Sequence, residues 1–132
     1  MSECACVYVD DYGDHADQTE KSTIVARVPV QCTECRRMIE PNESYEYVWG
    51  IWEGGPDVMR TCNDCLSVRN SFFCDGWVYC GLWDDLAAHI DGVGGHVESA
   101  CIIPLTPRAR DRVFELIEWA WEQTDDIEAD DD

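Results

Sequence analysis

Apolar and polar residues alternate over residues 4–9, and again at Ile24, Ala26, Val28 and Val30, which predicts two short strands. Pro29 favours an edge strand or the end of one. Between them, residues 10–22 form a polar run with Asp10, Asp11, Asp14, Asp17 and Glu20. It reads as a solvated loop, because the ordered ligands and glycine of a calcium-binding loop are absent. Residues 45–52 and 58–61 predict a β-hairpin, with Gly54 and Gly55 allowing positive φ in the connection and Pro56 ending the ladder.

The period then lengthens. Leu66, Arg69 and Phe73 fall at helical spacing, with Asn63 or Asp64 available as a cap, and Trp83, Leu86, Ala87 and Ile90 predict a second helix over residues 82–90. The clearest helix signal covers residues 107–123, where Thr106 offers an N-cap and Pro107 the first helical position. Val113, Leu116, Ile117, Ala120 and Trp121 make its apolar stripe; Asp111, Glu115, Glu118 and Glu122 make another side acidic. Residues 124–132 hold six acids and no base, which predicts a disordered acidic tail behind a single domain at residues 1–123.

Composition adds a charge that the periodicity does not reveal. Against 28 Asp and Glu stand 9 Lys and Arg, for a net −19 over 132 residues. That sign opposes general affinity for nucleic acid or anionic membrane and favours a basic protein as partner. With 45% hydrophobic residues and six Trp, the chain has the material for a core and is not a disordered polyanion. No apolar run reaches the ~20 residues of a membrane span, and the first residues lack a signal-peptide pattern, so the expected location is the cytoplasm. There, nine cysteines read as metal ligands before disulfides.

The cysteine spacing carries the strongest chemistry. Cys32-x-x-Cys35 and Cys62-x-x-Cys65 are separated by 26 residues. Two thiolates in one tight turn reach the same ion at about 2.3 Å, and two such pairs complete a tetrahedral zinc site. The hairpin between the pairs and the helix beginning at the second predict an α+β, treble-clef-like zinc core over residues 24–75; a zinc ribbon is the alternative. Cys4 and Cys6, with Cys74 and Cys101, form a candidate second zinc site, for which Cys80, His15, His89 and His96 are substitutes. Its competing reading is a set of small buried hydrophobes.

Catalytic patterns are missing. His96-Val-Glu98 follows both cysteine pairs, the reverse of the zinc-deaminase order, and there is no nucleophile elbow, phosphate loop or His-Glu-x-x-His. A non-enzymatic role is expected.

Taken in order, Cys4-x-Cys6, Cys32-x-x-Cys35, Glu43-Ser-Tyr45, Cys62-x-x-Cys65, Phe72-Phe-Cys-Asp-Gly-Trp77 and Leu82-Trp83-x-x-Leu86 resemble a group of small, largely uncharacterised Cys-rich proteins of tailed bacteriophages and prophages. The resemblance covers roughly residues 4–120, implies a phage accessory protein working in a bacterial host's cytoplasm, and suggests zinc. Two functions compete. In one, a rigid acidic surface occupies a basic groove on a host protein, as a nucleic-acid mimic or an inhibitor of restriction, CRISPR or transcription machinery, with Asp111, Glu115, Glu118 and Glu122 contributing. In the other, the zinc module binds nucleic acid or regulates transcription through Arg36, Arg37, Arg60 and Arg69, with Trp49 or Trp52 for stacking. Exposed tryptophans could equally serve a homodimer seam.

Overall fold

The computed structural model describes residue 7 and residues 18–52, 55–73, 77 and 79–130. The strand expected over residues 4–9 lies outside these, apart from Val7. That side chain is buried, and its N–H donates to the carbonyl of Phe72 at 2.8 Å.

The architecture is α+β. A three-stranded antiparallel sheet, ordered β1-β4-β5, is built from β1 (Gln18–Val25), β4 (Ser44–Trp52) and β5 (Gly55–Cys62). A separate two-residue pair, β2 (Val30–Gln31) and β3 (Met38–Ile39), brackets the first cysteine pair. Among the described residues four helices follow: α1 (Asn63–Phe72), α2 (Leu82–Gly92), α3 (Ser99–Ile102) and α4 (Pro107–Asp130).

Strand β1 corrects the expected loop. Its register, from Gln18 opposite Ile51 to Val25 opposite Ser44, draws the polar residues 18–22 into the sheet. Residues 19–23 stay exposed, so the segment carries no alternation of apolar residues. Pairing with β4 makes it a strand, and its own pattern does not. The expected strand over Ile24, Ala26, Val28 and Val30 is correspondingly broken: Ala26 is buried, Val28 is exposed, and the chain bends before Val30 starts the next pair.

Pro56 also departs from expectation, lying within β5 opposite Ile51 instead of ending the ladder. An outer strand tolerates this, because the missing N–H can face away from the neighbour.

The helices pack around one core. Val68 and Phe72 of α1, Leu82, Leu86 and Ile90 of α2, and Val113 of α4 are all at most 1% exposed. Arg69 of α1 meets the sheet at Glu46, and both are buried. There the carboxylate of Glu46 accepts two hydrogen bonds from Arg69, at 2.8 and 2.6 Å, and Trp77 lies over the guanidinium at 4.1 Å.

Helix α4 begins as read, with Thr106 Oγ1 accepting from the N–H of Ala109. It differs in two ways. It continues to Asp130, through residues expected to form a disordered tail, and Trp121, placed in the apolar stripe, is 54% exposed. The buried stripe is Ala109, Val113, Ile117 and Ala120, and it leaves the larger indole on the flank. Among the described residues, no helix is long and apolar enough to cross a membrane.

Candidate metal centre

The two cysteine pairs come together because the backbone joins the turn at residues 32–35 to strand β5. The N–H of Thr33 donates to the carbonyl of Arg60 at 2.7 Å, and the N–H of Arg60 returns a bond to Thr33 Oγ1 at 2.9 Å. That lateral pairing sets Cys32 beside Cys62, two residues further along the strand. The turn itself closes through Arg36 N–H to the Cys32 carbonyl and Cys32 N–H to the Arg37 carbonyl, with Arg36 in the left-handed region at φ 68°.

Helix α1 supplies the other half. Its N-cap is Cys62, whose sulfur accepts from the N–H of Cys65 at 3.5 Å; neither Asn63 nor Asp64 fills that position. A thiolate here does what a Ser or Asp cap does and keeps lone pairs for an ion. The ligand atoms of Cys32, Cys35, Cys62 and Cys65 all lie within 4.8 Å of one another. Cys32, Cys62 and Cys65 are fully buried, and Cys35 is partly open.

N–H groups surround the sulfurs. Cys62 N–H donates to Cys32 Sγ at 3.5 Å, and Trp83 Nε1–H, from the first turn of α2, donates to Cys65 Sγ at 3.3 Å. Hydrogen bonds from Cys35, Cys62 and Cys65 hold the Cys32 thiol far below its ordinary range, whereas the bond with Cys32 pushes Cys65 up. The four sulfurs lie within hydrogen-bonding reach of one another, and the cluster could bind one metal ion. Four sulfur donors suit a soft or borderline cation, and they fill a tetrahedron with no position left for a substrate.

Charges outside the sulfurs tie the centre to the rest of the fold. Asp64, between the second pair of cysteines, accepts from Thr106 Oγ1 at 2.6 Å and pairs with Arg37 Nε at 3.0 Å and Arg108 Nη1 at 3.6 Å. Arg37 also makes two hydrogen bonds to Glu43, which hold that carboxyl below the usual carboxylate range. A cavity of about 130 Å³ opens between Cys35, Cys65, Trp83 and the arginines Arg37, Arg108 and Arg112. Arg112 lies over the Trp83 ring at 4.1 Å.

Glu34 was not singled out from the sequence. It stands inside the first cysteine pair, yet its carboxylate accepts from the N–H groups of Cys80 and Leu82, at 3.0 and 3.2 Å, where α2 begins. Burial raises its pKa against the pull of these two donors. Nothing local could have revealed this contact, since the partners are 46 and 48 residues away.

Cys4, Cys6 and Cys74 of the second zinc site lie outside the described residues. Cys101 is buried and disulfide-bonded, so it does not stand as a free thiolate there. Of the substitutes, Cys80 is an exposed thiol, His89 is half-buried with its pKa lowered by burial, and His96 is exposed. Asp111, Glu115, Glu118 and Glu122 are all exposed on α4.

The four arginines expected as a basic patch stand in different surroundings. Arg69 is buried against Glu46, Arg37 is held by Glu43 and Asp64, Arg60 is partly buried near the Tyr47 ring, and Arg36 is exposed.

No family model matches the chain, and neither does any curated protein or solved structure.

Proposed function

We propose that the four thiolates hold one zinc ion in a treble-clef-like arrangement of turn, hairpin and helix. On this reading the ion is structural, and the protein is a zinc-stapled acidic accessory protein of the phage type that engages a basic surface on a host protein in the bacterial cytoplasm. The observation that carries the metal assignment is the convergence of four cysteine ligand atoms within 4.8 Å, from a turn and a helix start that backbone hydrogen bonds hold together. Zinc bound by four thiolates would add a net −2, taking the −19 chain to −21, so metal binding deepens the charge imbalance.

The basic-partner reading is supported by that charge and by the neutralisation of Arg37 and Arg69 within the fold. A nucleic-acid module would need those guanidinium groups free for phosphate. Carboxylates on a rigid surface can instead stand where phosphates would, opposite Lys and Arg of a nuclease, restriction or transcription protein.

Native mass spectrometry tests the metal assignment. One zinc per chain, with loss of cooperative melting on chelation, is expected; a metal-free chain that melts at the same temperature would overturn it. Gel-shift titration with DNA and RNA at low salt tests the partner class. Tight, salt-sensitive binding would overturn the basic-protein reading.

A further inference from the structure

The outward side of α4 carries three aromatic side chains that the core does not take up. Phe114 is 43% exposed, Trp119 50% and Trp121 54%, all within eight residues of one helix. Single exposed aromatics are common, but three within about two turns of one helix leave a large area of ring open to solvent.

The helix period arranges them. At 100° per residue, Asp111, Glu115, Glu118 and Glu122 fall along one outward strip. Phe114 and Trp121, seven residues apart, border one side of it, and Trp119 borders the other. The result is an acidic ridge between two aromatic edges.

One of those edges is fixed in place. Gly95 has φ +77°, and a Cβ there would lie 2.6 Å from Trp121 Cδ1, so the indole rests directly against the glycine backbone. A ring that is more than half open yet already positioned loses little freedom on binding.

We propose that this face of α4 is the docking surface for a basic, amphipathic segment of another protein. The inference rests on the basic-partner reading above and gives that reading a location. Arg and Lys match the face in both of its parts: their aliphatic stems cover the aromatic edges, guanidinium planes stack on indole, and the charged heads reach the acidic ridge. A second copy matches it poorly. A two-fold contact would set the same ridge against itself on two chains of −19 each.

The test uses the full-length, zinc-loaded chain and a synthetic 14-residue amphipathic peptide of Arg and Leu. Binding is followed by backbone NMR shifts and by tryptophan fluorescence. Shifts concentrated at residues 110–123 are expected. So is an affinity loss of at least tenfold in the double variant Phe114→Ala/Trp119→Ala, and a similar loss in Glu115→Gln/Glu118→Gln/Glu122→Gln. Both sets of side chains are exposed, so these variants should melt at the parent temperature; Trp121 is left intact because of its contact with Gly95.

Peptide binding that is indifferent to Phe114→Ala/Trp119→Ala, or that shifts residues elsewhere, would overturn the docking face and leave the basic-partner reading standing. No binding of the peptide would overturn both. Concentration-dependent dimerisation abolished by the same double variant would assign the face to a second copy, which also overturns the proposal.

Discussion

The indole Nε1–H of Trp83 donates to the sulfur of Cys65 at 3.3 Å, joining the first turn of α2 to the candidate metal centre. Trp83 is only 7% exposed, and Arg112 of α4 covers its ring. One side chain thus ties two helices to one sulfur. Replacing Trp83 with Phe keeps most of the apolar contact and removes the donor. The hydrogen bond is worth about 1 kcal/mol, so metal affinity should fall roughly fivefold. Competition against a chromophoric chelator measures it, and an unchanged affinity would show that the bond contributes nothing to the centre.

Glu34 makes the complementary connection, from the turn at residues 32–35 to the start of α2. Glu34→Ala strands two backbone N–H groups and should lower stability by about 1–2 kcal/mol. Glu34→Gln retains one acceptor oxygen and should fall between the two. Thermal melting ranks the three proteins, and hydrogen exchange at Leu82 should quicken in the same order.

Glu46 and Arg69 form a buried ion pair between the sheet and α1, with side chains about 10% and 7% exposed. Arg69→Met alone leaves a buried carboxylate without its partner and should cost about 3–5 kcal/mol. The double change Glu46→Leu/Arg69→Met removes both charges and should return to within about 1 kcal/mol of the parent. Urea unfolding of all four proteins in a mutant cycle would establish the coupling, and equal losses in the single and double variants would refute it.

Gly95 combines a positive φ with direct contact to Trp121. Gly95→Ala should destabilise by at least about 2 kcal/mol, from left-handed backbone strain together with the clash. Trp121→Ala in that background should recover the steric part and leave the backbone part. Additive losses would mean that the ring and the glycine do not act on each other.

How far these features were legible depends on their range. Cys32, Cys35, Cys62 and Cys65 could be read as one centre because chelation constrains the spacing within each pair. Helix α2 could be read from Trp83, Leu86 and Ile90, and the start of α4 from Thr106 and Pro107, because these signals repeat or sit within one turn. Strand β1 was hidden: an edge strand exposed at residues 19–23 shows no apolar alternation, and its partners on β4 lie 19 to 33 residues away. The cap of α1 was misplaced because Cys62 does the work usually assigned to Ser, Asp or Asn.

The sequence by itself determined the two cysteine pairs of the candidate metal centre, the α+β class and the −19 charge, since each follows from residue identity and short spacing. Only the tertiary structure decided where the charges count. Asp64, Glu43 and Glu46 are used up inside the fold by Arg37, Arg108 and Arg69, whereas Asp111, Glu115, Glu118 and Glu122 remain open to solvent beside three exposed aromatic rings. A carboxylate's role depends on whether a cation packs against it, and packing is set by contacts between residues far apart in the chain.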